Sequence, residues 1–439
     1  MMTSTRGIGT AVKANASSPQ PAIMTSGPTS ETANREDGLR TAGVSRTTAR
    51  REIQLLLACA RTRLDPQTAS QVTNLVQEDL DWKYVFKKAN ENFVTPLLCF
   101  HVLNVCPQFV PPNILTQLKD FFRIHARHNL FQTSELIRLV RLLNSHGIPA
   151  LPFKGPTLAA LVYGNLSLRQ FSDLDILIRE RDLRRAVDLL SASGYKSASS
   201  LNWSRNASTP TNRQKDLGLV RADGRVSVEL HWRLLGSRFT SPHNMKRMWK
   251  RLETMSIAGS LVNCLPVNDL LLYLCMHGAK HRWERLEWIA DVAEVIRNRQ
   301  ETEWKLLLQQ SKALGCERAL AVGLLLAKDL LSASIPVDVL QKIQSDAMAR
   351  FLADHACACL LLDAQTLPQI FNYQLGMKER ARDRAKLYFD NCRLSIRNAI
   401  RPNENDRAVL SLPIYLSFFY YLLRPIRLLA HSGRESLNK

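Results

Sequence analysis

The sequence has no uninterrupted apolar run of about 20 residues, the length a membrane-crossing helix needs. The nearest stretch, 408–423, is shorter and is broken by Pro413. The compact apolar segment of a signal peptide is also missing near the start. The first thirty residues hold Arg6 and Lys13 but no acid, a faint transit-peptide flavour. The reading taken is a disordered tail on a cytoplasmic protein. Nine cysteines are present without a pairing pattern. Cys357 and Cys359 sit one residue apart, wrong for a disulfide or a zinc knuckle, and Cys59 and Cys99 lie in apolar helical surroundings. That excludes a disulfide scaffold and implies reduced, buried thiols. Acid is in short supply: 59 Lys and Arg face 39 Asp and Glu, for a net charge of +20. Residues 378–439 alone carry thirteen basic and six acidic groups. Such a field attracts polyanions, whether nucleotides, nucleic acid or an anionic membrane surface, and does not choose among them.

Hydrophobic residues make up 45% of the 439, enough for two or three domains with proper cores. Residues 1–48 are rich in Ser, Thr, Ala, Pro and Gly and read as a disordered tail. From Glu52 the apolar spacing becomes helical and stays so to about 130, with a helix over 131–145 ending at Gly147. Then the period changes. Ile148–Phe153 reads as a short strand ending at Lys154-Gly155, and Pro156-Thr157 opens a helix that stops near Gly164. A second strand at 173–178 precedes a helix over 181–192. A polar loop runs to about 214, and strands 217–221 and 225–232 join at Asp223-Gly224, a strong hairpin signal. From about 266 every segment reads as helix, including single helices over 283–298 and 337–364. The expected architecture is α+β: a small mixed sheet core over 131–235, helical regions over 49–130 and 236–407, and a basic, aromatic tail over 408–439.

The core holds the chemistry. Residues 171–178 read Phe-Ser-Asp-Leu-Asp-Ile-Leu-Ile. Side chains alternate along a strand, so Asp173 and Asp175 share one face while Leu174 and Ile176 pack behind. Two buried carboxylates side by side are costly unless a cation compensates them. Glu229, in Val-Ser-Val-Glu-Leu-His-Trp, offers a third on the hairpin, sharing its face with Ser227 and His231. Closely spaced carboxylates are what a two-metal site needs, and Mg²⁺ favours oxygen ligands while leaving positions open for phosphates. Lys154-Gly155, at a strand-to-helix turn, offers an ammonium and backbone N–H groups to phosphate oxygens. Arg169 could clamp a phosphate with its fork.

The string Lys-Gly-(x)₇-Tyr-Gly, then Leu-Arg-(x)₃-Asp-Leu-Asp-Ile-Leu-Ile, Gly-Tyr and Glu-Leu-His-Trp resembles an uncharacterised bacterial branch of the DNA polymerase β-type nucleotidyltransferases. Leu-Cys-Met-His-Gly-Ala-Lys-His-Arg-Trp-Glu-Arg-Leu-Glu-Trp-Ile-Ala-Asp (274–291) resembles the helical half of that branch. The likeness covers about 50–430 and is most specific over 150–292. It implies transfer of a nucleoside monophosphate from an NTP to an acceptor hydroxyl or phosphate. Mg²⁺, with Mn²⁺ as a substitute, would sit on Asp173, Asp175 and Glu229; Lys154, Gly155 and Thr157 would hold the triphosphate. Two departures stand out: Pro156 follows Gly155 and removes one N–H from the cradle, and seventeen residues separate Gly155 from Asp173.

His277 and His281 are spaced i, i+4, which would suit zinc, but the companion glutamate of a protease helix is missing. With His231, Lys280 and Arg282 they are read as cleft residues, and Asp291 as an ion-pair partner of His277, Lys280, His281 or Arg282. The segment 408–439 is the place to look for contact with an anionic membrane; nucleic acid is not favoured, because no recognised motif appears. The rival readings are a catalytically silent nucleotide-binding scaffold, or a basic peripheral membrane or nucleic-acid-binding protein.

Overall fold

The computed structural model describes residues 49–197, 215–234, 242–299, 302–362 and 370–400, together with residue 419. The tail 1–48, most of the polar loop to 214 and nearly all of 408–439 lie outside the described residues. Five helices open the described chain: α1 (Arg51–Cys59), α2 (Pro66–Gln77), α3 (Trp82–Glu91), α4 (Thr95–Val105) and α5 (Pro112–Ser145). Two have clear start signals. The Asp65 carboxylate accepts from Thr68 N at 2.8 Å with Pro66 in the first turn, and Asp81 accepts from Tyr84 N at 3.0 Å. The helix expected over 131–145 is continuous with the helical stretch before it from Pro112, since no Gly or Pro interrupts residues 113–145.

The sheet is five-stranded, ordered β1 (Leu151–Pro152), β2 (Asp173–Leu177), β5 (Ser227–His231), β4 (Asp216–Arg221), β3 (Tyr195–Ser197). β2 and β5 run parallel; the other neighbours are antiparallel. Between β1 and β2 lie α6 (Pro156–Leu158) and a π-helical turn, Ala159–Tyr163, that ends at the left-handed Gly164. Between β2 and β3 lies α7 (Leu183–Ala192). The period-two pattern decides the faces. Leu174, Ile176, Val228 and Leu230 pack in one buried cluster with Leu136, Leu139 and Leu143 of α5 and Leu183, Ala186 and Leu190 of α7. The opposite face carries the carboxylates.

Downstream, α8 (Pro242–Lys250) precedes a two-stranded sheet, β6 (Glu253–Ile257) and β7 (Ser260–Cys264), inside the range expected to be helical. Its turn is Ala258-Gly259, both at positive φ (46° and 77°). That geometry is usually signalled by Asn-Gly or Asp-Gly, so the hairpin carries little local mark. Helices α9 (Val267–Lys280), α10 (Leu286–Asn298), α11 (Trp304–Leu314), α12 (Glu317–Leu331), α13 (Val337–Gln344), α14 (Ala347–Leu362), α15 (Ile370–Gly376) and α16 (Ala381–Ile400) follow. The expected helix 337–364 is two helices because the Asp346 carboxylate accepts from Met348 N and Ala349 N and starts a new one. The one expected from 283 begins at Leu286 because Arg282 and Trp283 take φ of 57°. That kink drives the fully buried Trp283 between α9 and α12, where Gly278 and Gly323 leave room for its ring. No helix among the described residues is long and apolar enough to cross a membrane.

Candidate active site

Strand pairing assembles the acidic face. Asp175 is the direct neighbour of Glu229 across β2 and β5, and Asp173 lies opposite Ser227. On the other side of β5, Asp216 of β4 lies opposite His231. Asp175 is almost wholly buried, whereas Glu229 is about two-fifths exposed. His231 Nε2 lies 2.9 Å from Asp175 Oδ1 and 3.3 Å from Glu229 Oε2. Lys154 Nζ donates to the same Asp175 oxygen at 3.4 Å.

These contacts set the electrostatics. Burial alone would raise Asp175, but Lys154 and His231 hold its carboxyl well below the usual carboxylate range. Asp173 has no such close cation. Burial, then Asp175 and Glu229, push it up to about 6. Glu229 is lowered by its hydrogen bond to His231. Asp175, Glu229 and His231 offer donor atoms all within 4.8 Å of one another. Two carboxylates and an imidazole, beside a third carboxylate whose charge is disfavoured by its neighbours, fit a divalent cation. No other such group occurs among the described residues, and His277 and His281 do not form one.

Lys154-Gly155 sits beside this face. Gly155 has φ 51°, and a Cβ there would come within 3.2 Å of Asp173 O, so the turn is pressed against the acidic strand. Thr157 is buried two residues on, and its Oγ1 has no hydrogen-bond partner. Arg169 meets carboxylates rather than open space. Its Nε and Nη2 each donate to Asp291 at 2.9 Å, and Glu287 lies 3.5 Å away. Tyr163 OH also donates to Asp291, at 2.8 Å. The long spacer between Gly155 and Asp173 thus supplies Tyr163 and Arg169 as a brace to α10. Asp291 pairs with this arginine and not with His277, Lys280, His281 or Arg282. Two nitrogens of the Arg169 fork are engaged in this brace, and the residue also lines the cleft beside the carboxylates.

Glu287 is the strained member of that cluster. Burial pushes it up to about 8, although Arg169 pulls the other way, and its Oε1 has no hydrogen-bond partner. A carboxyl with a raised folded pKa keeps a proton that the unfolded chain releases near 4.3. Stability should therefore fall as pH rises from about 4 through about 8 and then level off. Glu287→Gln should flatten that slope between about pH 4 and 8 in denaturant melts; an unchanged slope would place the proton elsewhere.

The carboxylates, Lys154, Gly155, His231, His277, Lys280 and His281 line one cleft of about 540 Å³, to which Thr157 does not contribute. Lys215, Arg233 and Arg285 also line it, so bases mix with acids along its wall. His281 is pushed down to about 4 by burial and by Lys280 and Lys154, leaving a neutral ring at neutral pH. Burial and the same cations hold His277 well below its ordinary value. Tyr273, Trp288 and Phe93 complete an aromatic side that local spacing did not mark. Phe93 comes from the loop after α3 at φ 58°, and Asn92 beside it accepts from Leu286 N and Glu287 N to start α10.

The mixed α+β core thus brings carboxylates on adjacent parallel strands, a Lys-Gly turn and a partly basic cleft together around a group that could hold a metal ion. A family model described as "Uncharacterised nucleotidyltransferase" matches residues 78–332, and the chain belongs to that family. No curated protein and no solved structure matches the chain.

Proposed function

We propose that this protein transfers a nucleoside monophosphate from an NTP to an acceptor hydroxyl or phosphate. One observation carries the reading: parallel pairing sets Asp175 beside Glu229, with Asp173 on the same face, against the Lys154-Gly155 turn. An acceptor oxygen forms a bond to the α-phosphorus, the bond from that phosphorus to its bridging oxygen breaks, and pyrophosphate leaves. A divalent cation, Mg²⁺ or Mn²⁺, held by Asp173, Asp175 and Glu229 would offset charge on the phosphates and on the attacking oxygen. Lys154 and the backbone at Gly155 orient phosphate oxygens. Pro156 offers no N–H there, so the lysine carries more of that work than in a Gly-Ser turn. Glu229, the most exposed of these three acids, would take up the acceptor's proton. Lys280, Lys215 and Arg285 favour a polyanionic substrate in the cleft. The acceptor is a small molecule, peptide or protein in this reading. Pyrophosphate release from an NTP should require a divalent cation and stop with EDTA; release that persists in EDTA would reject it.

A further inference from the structure

We propose that His231 is itself a ligand of the cation, with Asp216 behind it, and that the site therefore favours Mn²⁺ over Mg²⁺. The inference rests on the nucleotidyltransferase reading and adds a nitrogen to a site otherwise made of oxygens. Register alone brings the parts together. Glu229 and His231 share a face of β5, Asp175 of β2 adjoins Glu229, and Asp216 of β4 stands opposite His231. The ring is buried with Phe153 edge-on at 5.1 Å, which restricts where its nitrogens can point. Nε2 points at Asp175 and Glu229, within the same 4.8 Å group of donor atoms. Nδ1 faces Asp216 Oδ2 at 3.8 Å.

An imidazole nitrogen can give a proton to carboxylates or a lone pair to a cation, but not both at once. When a cation occupies the group, Nε2 is the atom in position to bind it, and the remaining proton sits on Nδ1 toward Asp216. A carboxylate behind a ligating histidine fixes the ring's tautomer and strengthens the ligand. Nitrogen donors suit first-row transition ions, whereas Mg²⁺ strongly prefers oxygen. Mn²⁺ accepts imidazole and still shares magnesium's taste for carboxylate and phosphate oxygens. The alternative is that the imidazole remains a protonated counter-ion of Asp175 and never touches the metal.

The test uses the full-length protein with Mn²⁺ alone, followed by pulsed electron paramagnetic resonance and by titration of the free-ion signal. The wild type should show coupling to one directly bound ¹⁴N. His231→Gln should lose that coupling and bind Mn²⁺ more weakly than the wild type, with Mg²⁺ affinity nearly unchanged. Asp216→Asn should weaken Mn²⁺ binding about 10–100-fold while keeping the nitrogen coupling. The wild-type spectrum needs no variant, so a His231 substitution that fails to fold does not blunt the test. Mn²⁺ bound without nitrogen coupling overturns this inference and leaves the nucleotidyltransferase reading intact. A wild type that binds neither Mn²⁺ nor Mg²⁺, with or without NTP, overturns both.

Discussion

Asp175→Asn should lower nucleotidyl transfer about 10³-fold or more, since a bound cation supplies several kcal/mol of charge stabilisation and each 1.36 kcal/mol is tenfold in rate. The substitution is nearly isosteric, so the strand and its parallel partner remain. What goes is the charge at the centre of the group: Lys154 at 3.4 Å and His231 at 2.9 Å lose the carboxylate that balances them. The Lys154 ammonium would then repel the cation that Asp175 attracts. A variant with a wild-type melt and more than a tenth of wild-type turnover would mean that Asp175 is a structural partner of Lys154 and nothing more.

Asp291→Ala should cost about 3–5 kcal/mol, the range for removing one partner of a buried ion pair. Asp291 and Arg169 are both nearly inaccessible, and the carboxylate takes two bonds from the guanidinium and one from Tyr163. Glu287 remains 3.5 Å from Arg169, but burial has already shifted it toward its protonated form. Removing Arg169 and Asp291 together, by Arg169→Met and Asp291→Leu, should recover much of the loss, because the penalty lies in the stranded charge. Urea unfolding of the single and paired variants measures this. A single-variant loss below about 1 kcal/mol would show that the brace is dispensable.

What could be read from the sequence follows the range of the interactions. Alternation placed Asp173 and Asp175 on one face, and Glu229 with His231 on another strand, because strand period is local. Asp223-Gly224 announced its hairpin for the same reason, and Gly164 the end of the turn after Pro156. Register between strands that no tight turn joins is not local. Nothing in the spacing said that β2 and β5 would pair in parallel at Asp175 and Glu229. Arg169 and Asp291 are 122 residues apart, so the ion pair that an arginine read as a phosphate clamp also makes could not be seen in the spacing. Phe93 reaches the cleft through a strained backbone in a region that reads only as helix. The hairpin β6–β7 escaped because Ala258 stands where a turn-forming Asn or Asp would have marked it.

The central claim is that the α-phosphorus, with its nucleoside, is what moves. Parallel incubations of the protein with a divalent cation, an extract of small molecules and peptides as acceptor source, and NTPs labelled at the α- or the γ-phosphate follow that atom directly. The account predicts α-label covalently attached to a product that is not a nucleotide, with γ-label released as pyrophosphate. γ-Label in the product with release of NDP would contradict it, and would make the same carboxylates those of a kinase.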